Sequence, residues 1–224
     1  MKVVIFGATG MIGQGALREC LVAPDVERVL LVGRRASGQV HAKLDELVVP
    51  DLADYSGVAA ELAGYDACFY CLGVSAAGMS EADYRRVTVD FAVAAARALL
   101  EKNPGMTFVF VSGAGTDATG KSRTMWARVK GEAENAILAL PFARACAFRP
   151  AFVRPMHGAT SRTRSYRILY ALTWPIHPLL GVLFPRHVTT TELVGRAMLN
   201  VARHGAPKAV LENHDINALG ASPG

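Results

Sequence analysis

The stretch Lys2–Gly13 reads KVVIFGATGMIG, and it decides the fold. Val3–Phe6 is a short apolar run rich in β-branched residues, which predicts a strand buried on both faces, as in a parallel sheet. Three glycines follow at three-residue spacing, and Ile12–Val22 then has the pattern of a helix. A strand, a glycine turn and a helix in this order give the context of a dinucleotide-binding fingerprint.

Each glycine has its own role in such a fingerprint: Gly7 permits the tight turn, Gly10 lets the backbone approach a pyrophosphate, and Gly13 lets helix and strand pack closely. The helix N-terminus adds free N–H groups and a partial positive charge. We therefore predict that the cofactor phosphates bind to Gly7, Ala8, Thr9, Gly10, Met11, Ile12 and Gly13. The alternative is a glycine-rich turn without a ligand.

The size and composition of the chain fit one α/β domain. The chain has 224 residues, 51% of them hydrophobic, which predicts a single domain over residues 1–224 with a sizeable core. The longest apolar stretch, residues 168–184, contains prolines and a histidine, and this argues against a membrane-spanning helix. Lys2 leads directly into the first strand, so we expect no signal peptide.

The four cysteines are Cys20, Cys68, Cys71 and Cys146. They fall within predicted helices and strands, which indicates buried thiols in a reduced, cytoplasmic protein. Cys68 and Cys71 form a CxxC pair, but no second Cys/His pair at zinc spacing accompanies it, so we expect no metal site.

The net charge of +5 is unevenly distributed. Residues 1–140 hold 14 basic and 16 acidic residues, whereas residues 141–224 hold 10 and 3, with an excess at Arg162, Arg164 and Arg167. Such a surface suits an anionic ligand, a membrane surface or solvent. We expect no nucleic-acid binding, because no aromatic-basic interleaving of a known module is present.

Strand and helix patterns alternate up to residue 150. Further strands are predicted at residues 28–32, 46–49, 67–70, 106–111 and 143–148, and the longer helices at residues 81–100 and 123–140. This alternation predicts a doubly wound parallel α/β sheet of the Rossmann type. Residues 151–185 are expected to cover the substrate side of the sheet. A helix at 191–203, a last strand at 208–211 and a frayed tail at 221–224 are expected to follow.

The second predicted strand ends at Gly33-Arg34-Arg35. In NAD-selective folds an acidic residue near this point binds the ribose 2′-hydroxyl, whereas a guanidinium matches a 2′-phosphate. We therefore predict NADP(H) as the cofactor, with Arg34 as its main contact and Arg35 as the partner of Arg34. The alternative is an ordinary charged turn.

Two other strand ends supply candidate cofactor contacts. Asp51 and Leu52 follow the third strand, where Asp51 either accepts a hydrogen bond from the adenine amino group or caps a helix beginning near Asp54. Cys71-Leu72-Gly73 follows the fourth strand, and this small exit would let the cofactor ribose come close.

Six motifs together resemble one family. They are GATGMIG, VGRR, YCLG, VSGAG, VKGEAE and FRP, spread over about residues 1–155. As a set they resemble the atypical short-chain dehydrogenases/reductases, in particular the Tat-interacting-protein-like branch. The NmrA-like regulators and the NAD-dependent epimerases/dehydratases are neighbouring groups. The resemblance implies a Rossmann-type fold and dinucleotide binding.

The resemblance also implies an active site with one departure. That family uses a serine after the fifth strand, and a tyrosine and a lysine one helical turn apart; Ser112 and Lys130 match the serine and the lysine. Trp126 stands where the tyrosine is expected. In the family the lysine holds the nicotinamide ribose, the serine orients the substrate oxygen and the tyrosine exchanges a proton. An indole N–H cannot exchange a proton near neutral pH.

Three explanations for Trp126 remain open. In the first, the protein binds NADP(H) without turnover, as a regulator with a protein partner. In the second, Tyr166, Tyr170 or His157 supplies the proton. In the third, Trp126 and Ser112 only polarise a carbonyl. We expect an NADP-dependent oxidoreductase acting on a small apolar carbonyl or alcohol, with the non-catalytic regulator as the alternative. Residues 168–184 are a candidate pocket lid, homodimer interface or membrane contact.

Overall fold

The computed structural model describes residues 1–160 and 186–222. The strands of this part are β1 (Lys2–Phe6), β2 (Arg28–Gly33), β3 (Leu44–Val48), β4 (Ala67–Tyr70), β5 (Thr107–Val111), β6 (Arg144–Arg149), β7 (Phe152–Arg154), β8 (Val188–Thr190) and β9 (Val210–Glu212). Its α-helices are α1 (Met11–Val22), α2 (Glu81–Arg85), α3 (Phe91–Lys102), α4 (Met125–Leu138), α5 (Thr191–His204) and α6 (Asn213–Ala221).

Seven strands form one parallel sheet in the order β3-β2-β1-β4-β5-β6-β9. The order reverses between β1 and β4, and a crevice for a ligand opens at such a reversal, outside the carboxyl ends of the strands. The predicted doubly wound parallel sheet is therefore confirmed. The strands β7 and β8 form a separate two-stranded parallel sheet that the sequence did not predict.

The sheet is covered on both faces, which explains why its inner strands are apolar throughout. Along β1, Val4 and Phe6 belong to a core layer that includes residues of α3 and α4, whereas Val3 and Ile5 belong to a layer with α1 and α5. The first layer therefore fixes the position of α4, and the second fixes that of α1.

The helices α1 and α5 approach closely because glycines lie at their contact. A Cβ atom built at Gly15 would lie 2.4 Å from the carbonyl oxygen of Thr191, and one at Gly195 would lie 2.8 Å from Cγ of Glu19. This contact fixes the direction of α1, whose first turn faces the crevice between β1 and β4.

Two predicted helices differ from the structure. The single helix at residues 81–100 is interrupted by a π-helical turn, Arg86–Asp90, where the N–H of Phe91 donates to the carbonyl of Arg86. This turn contains Val87, Thr88 and Val89, whose β-branched side chains lower helix propensity. No α-helix begins near Asp54; its carboxylate accepts the N–H of Ser56 at 2.9 Å, at the start of a short 3₁₀ helix.

The C-terminal part contains a helix, α6, that the sequence did not predict, and a reciprocal capping box between Glu212 and Asp215 stabilises its first turn. The helix ends at Ala221, the first residue of the stretch expected to be frayed, and residues 223–224 lie outside the described residues. The residues Arg162, Arg164, Arg167, Tyr166 and Tyr170 and the apolar stretch 168–184 lie outside the described residues. Within residues 1–160 and 186–222, no helix combines the length and apolar character needed to cross a bilayer.

Candidate cofactor and active site

The loops after β1 and β4 meet at the point where the strand order reverses. Gly7 has a φ of +74°, which favours glycine, and a Cβ atom there would lie 2.6 Å from the backbone nitrogen of Leu72. The same Cβ would lie 2.7 Å from the carbonyl carbon of Cys71. A side chain at position 7 would therefore push the two loops apart.

The first helix begins directly in this crevice. The N–H of Gly10 donates to the carbonyl of Gly7 at 2.9 Å, and Gly10 is the N-cap of α1 without a side-chain cap. A Cβ atom at Gly13 would lie only 2.2 Å from the carbonyl oxygen of Gly7. Among the described residues no side chain caps the first turn of α1, so its N–H groups can bind an anion, and this cradle fits the pyrophosphate of a dinucleotide.

One half of the cleft lies next to β2 and β3 and has a volume of about 490 Å³. Its described lining comprises Gly7, Ala8, Thr9, Leu31, Val32, Gly33, Arg34, Arg35, Ala36, Ser37, Glu46, Leu47, Val48, Leu52 and Leu72. We call it the adenine half, because the sequence analysis predicts the 2′-phosphate contacts, Arg34 and Arg35, at this end. Arg34 and Arg35 are both exposed.

The loop that carries these two arginines is held by an acidic residue of β3. The carboxylate of Glu46 accepts hydrogen bonds from the backbone N–H of Ser37, at 2.8 Å, and from the Ser37 hydroxyl. Asp51 accepts the N–H of Ala53 at 3.0 Å and thus caps a turn, and it is not among the described residues that line the cleft. The prediction that Asp51 contacts adenine remains untested.

The other half of the cleft lies next to β4 and β5 and has a volume of about 550 Å³. It shares Gly7, Thr9, Arg34 and Leu72 with the adenine half, so the two halves are continuous. Its remaining described lining comprises Gly10, Met11, Ile12, Cys71, Gly73, Val74, Ser75, Val111, Ser112, Lys130, Pro150, Ala151 and Val153. We call it the nicotinamide half.

Ser112 lines the nicotinamide half, but its hydroxyl already has protein partners. The Oγ atom lies 2.5 Å from Oε1 of Glu134 and 3.1 Å from the carbonyl oxygen of Phe148. Glu134 is itself buried and binds the guanidinium of Arg149 through two hydrogen bonds, at 2.9 and 2.5 Å. Ser112 is therefore the outermost member of a buried polar network.

Lys130 lies on α4, one turn before Glu134, and is partly buried in the same half of the cleft. Its Nζ atom lies 3.4 Å from the carbonyl oxygen of Val111, a long hydrogen bond. Burial lowers the pKa of Lys130 to about 8, although the nearby Glu134 carboxylate acts in the opposite direction. The ammonium is therefore a much better proton donor at neutral pH than an exposed lysine.

The neighbours of Lys130 on the helix explain why it differs from a solvated charge. Arg128 donates to Glu81, and Glu132 accepts from Arg85, both on the outer face of α4. Lys130 and Glu134 are one turn apart and face the cleft and the buried network instead. The helix thus carries an exposed charged face and an inner polar face.

Trp126 is one turn before Lys130 but is not among the described residues that line the cleft. It packs against the core layer of α3 and α4. A Cβ atom at Gly115 would lie 3.3 Å from its Cη2 atom, so the indole lies against the loop after β5. In this structure Trp126 is a packing residue beside the cleft.

The loop between β5 and α4 is tied closely to the helix. A Cβ atom at Gly131 would lie 1.9 Å from the carbonyl oxygen of Asp117, so only glycine permits this approach. The Asp117 carboxylate accepts the N–H groups of Thr119, at 2.9 Å, and Ser122, at 2.6 Å. These hydrogen bonds, together with one from the Thr119 hydroxyl, lower the pKa of Asp117 to about 2.

His157 lies in a separate hollow between α1 and α5. Its Nε2 atom is 2.8 Å from Oε2 of Glu192, and Gln14 and Arg18 line the same hollow. His157 is therefore not brought into the nicotinamide half. Cys71 does line that half, and burial raises the pKa of its thiol to about 12.

Sequence reasoning missed the network behind Ser112. In the sequence, Glu134 and Arg149 stand out only as members of the motifs VKGEAE and FRP. The signal that distinguishes Glu134 is its position four residues after Lys130, which places both side chains on one face of α4.

Comparison with known proteins agrees with this geometry. Residues 7–171, well over half of the chain, match a family model described as NAD(P)H-binding. The protein fmp52, mitochondrial, of Emericella nidulans is 30% identical over 159 residues, which cover 68% of this chain and 66% of that protein, just under two thirds of its length. The protein fmp52-2, mitochondrial, of Aspergillus oryzae is 27% identical, and the match covers 96% of this chain and 95% of that protein.

A solved structure supports the fold. A short-chain dehydrogenase/reductase superfamily protein from Agrobacterium tumefaciens, with bound NAD, superimposes with a TM-score of 0.66. The match covers 95% of this chain and 77% of that one at 15% sequence identity, a level at which only the fold is comparable.

The predicted cytoplasmic location is wrong by this comparison, since the matched fungal relatives are named as mitochondrial proteins. Of the four cysteines, Cys20, Cys68 and Cys146 are buried and Cys71 is partly buried, and this burial does not identify the compartment.

The glycine cradle, the strand order and the family match lead to one conclusion. The chain belongs to the NAD(P)H-binding family and has the Rossmann-type fold of the short-chain dehydrogenases/reductases.

Proposed function

We propose that this protein binds NADP(H) and catalyses hydride transfer between this cofactor and a small apolar carbonyl or alcohol. The observation that carries the proposal is the pairing of two chemistries in one continuous cleft. Exposed arginines lie at the end of β2, and a partly buried lysine lies at the opposite end, on α4.

Arg34 and Arg35 support NADP(H) over NAD(H). They stand where an NAD-selective fold carries an acidic residue, and a guanidinium binds a phosphate through two parallel hydrogen bonds. The adenine half also contains Glu46, but its carboxylate is bonded to Ser37 and holds the arginine loop. The positive charge of the loop is therefore available to the 2′-phosphate.

The lining of the nicotinamide half supports a small, fairly apolar substrate. Leu72, Val74, Pro150, Ala151 and Val153 all line it. Apolar walls with few convergent polar groups are typical of small-molecule sites.

The cofactor preference is tested by Arg34→Ala. We expect the affinity for NADP⁺ to fall by about ten- to a hundredfold, because a hydrogen bond to a charged group contributes about 1.5–3 kcal/mol. The affinity for NAD⁺ should change little, as measured by isothermal titration calorimetry. Arg28→Ala is the matched control, since Arg28 is an exposed β2 residue paired with Asp45. Equal weakening of NADP⁺ and NAD⁺ binding by Arg34→Ala would contradict the 2′-phosphate assignment.

The alternative function is an NADP(H)-responsive regulator without turnover. Two observations favour it: Trp126 replaces the expected tyrosine, and the Ser112 hydroxyl is bonded to Glu134. The two functions are separated by following NADPH oxidation with a panel of small aldehydes and ketones. A regulator would bind NADPH in calorimetry and leave every compound of the panel unreduced.

A further inference from the structure

With tryptophan at the tyrosine position, the source of the proton has to be sought among the other residues of the cleft. Of the described residues that line the nicotinamide half, the side chains with exchangeable protons are Thr9, Arg34, Cys71, Ser75, Ser112 and Lys130. A proton donor for a carbonyl must be within hydrogen-bond reach of the substrate and must release its proton near the working pH.

Most of these side chains do not meet the second condition. A guanidinium does not release its proton in proteins, and the aliphatic hydroxyls of Thr9 and Ser75 are far too weakly acidic. The Ser112 hydroxyl lies 2.5 Å from Glu134 and is committed to the buried network. Burial raises the pKa of the Cys71 thiol to about 12, so this thiol holds its proton at neutral pH.

Lys130 does meet the condition of releasing a proton near the working pH. Its surroundings also leave its ammonium protons available. Its bond to the carbonyl of Val111 is long, at 3.4 Å. The Glu134 carboxylate on the same helix already accepts hydrogen bonds from Ser112 and from Arg149 of β6.

Among the described residues that line this half of the cleft, the other charged or titratable side chains are Cys71, just after β4, and Arg34, just after β2. An ammonium has three N–H groups, so Lys130 can bond Val111, a ribose hydroxyl and a substrate oxygen at once.

We propose that the Lys130 ammonium itself delivers the proton to the carbonyl oxygen of the substrate, in place of a tyrosine hydroxyl. The proposal rests on the reductase function proposed above. The bound cofactor supplies the hydride that reaches the carbonyl carbon. One N–H bond of Lys130 breaks as the O–H bond of the alcohol forms, and the neutral amine is then reprotonated by water. In the oxidation direction the neutral amine accepts the proton of the alcohol.

The first test is the titration of Lys130, which needs no turnover. Reductive ¹³C-methylation labels the six lysines of the chain, and the Lys130 signal is assigned by its loss in Lys130→Arg. We expect its pKa near 8, well below the ordinary lysine value of about 10.4. Titration of Lys130 at the ordinary value would overturn the proposal.

The second test is the pH dependence of carbonyl reduction by the NADPH-loaded protein. Because the donor must be protonated, kcat should fall as the pH rises through about 8. Lys130→Arg keeps the positive charge and the hydrogen-bond donors, but a guanidinium does not release its proton. We therefore expect NADPH to bind with little change and kcat to fall about 10²–10⁴-fold. Tyr166→Phe and Tyr170→Phe should retain activity and the same pH profile.

The outcomes separate this proposal from the function on which it rests. Turnover by Lys130→Arg at the wild-type rate, or a matching loss in either tyrosine variant, would overturn the role of Lys130 and leave the reductase function standing. NADPH binding without turnover in the wild type would overturn the role of Lys130 and support the regulator. Absence of NADP(H) binding would contradict the proposed function itself.

Discussion

The two halves of the cleft are built in different ways. The adenine half presents Arg34 and Arg35 on a short loop, where both side chains are exposed and the Glu46 carboxylate bonds to the loop at Ser37. The nicotinamide half presents Ser112 and Lys130 in front of the buried pair of Glu134 and Arg149. Substitutions in the adenine half should therefore change cofactor affinity with little effect on the stability of the fold. Substitutions in the buried pair behind the nicotinamide half should change both cofactor affinity and stability.

The glycine cradle belongs to both halves, so breaking it should have the largest effect. We expect Gly13→Val to abolish measurable NADP(H) binding, because even its Cβ atom would lie 2.2 Å from the carbonyl oxygen of Gly7. The overpacking should also destabilise the fold by about 1–3 kcal/mol. Calorimetry and urea unfolding measure the two effects.

The matched control for Gly13 is Gly57→Ala. A Cβ atom at Gly57 would meet nothing within 4 Å, so this variant should bind and unfold like the wild type. Normal cofactor binding by Gly13→Val would show that the cradle does not depend on the approach of α1 to the loop after β1.

The contrast between the halves is sharpened by Glu134→Gln. Loss of this buried charge weakens the pair with Arg149, and breaking a buried ion pair costs about 3–5 kcal/mol. Arg149 keeps Glu212 as a second partner, at 3.1 Å, so we expect a loss near the lower end of that range in urea unfolding.

Glu132→Gln is the control on the same helix. Glu132 pairs with Arg85 through exposed side chains, and such pairs contribute about 0–1 kcal/mol. Equal destabilisation by the two variants would mean that the Ser112 network is no more important to the fold than a surface pair.

We expect the smallest effect from the pH dependence of stability that Asp117 contributes, in the loop between β5 and α4. The pKa of Asp117 is lowered from 3.8 to about 2, so the folded state favours its ionised form. Its contribution to stability is fully present above the ordinary value and is lost as the pH falls through about 2. Thermal unfolding between pH 5 and pH 2 should therefore depend less steeply on pH in Asp117→Asn than in the wild type.

The control for Asp117 is Glu61→Gln, which removes an exposed carboxylate. This variant should follow the wild-type pH dependence. An unchanged pH dependence in Asp117→Asn would indicate that the hydrogen bonds to Thr119 and Ser122 do not stabilise the loop in solution.

Local patterns were sufficient for much of the fold. The strand Ala67–Tyr70 was predicted with its observed bounds, and Lys2–Gly13 gave the strand, turn and helix at the start of the chain. These predictions succeeded because strands buried on both faces are continuous apolar runs and because glycines mark the turns between them. The interrupted helix at residues 81–100 was missed, because alanine-rich periodicity does not reveal a single π-helical turn.

The candidate site was predictable residue by residue but not as an arrangement. Sequence spacing placed Trp126 and Lys130 one turn apart on one helix. It did not reveal that Trp126 packs beside Gly115, that Glu134 is buried against Arg149, or that Ser112 is bonded to Glu134. These contacts depend on how α4 packs against the sheet, because the residues that meet there lie far apart in the sequence.

The sequence by itself determined that this protein has a parallel sheet with a glycine cradle for a dinucleotide, because strand burial and turn conformation are local properties of the residue types. Only the tertiary structure decided which polar groups face the cleft. The crossing of α4 over the sheet turns Lys130 toward the cleft and Trp126 toward the core layer beside it. Solvation and pKa depend on that packing, and no local pattern contains it.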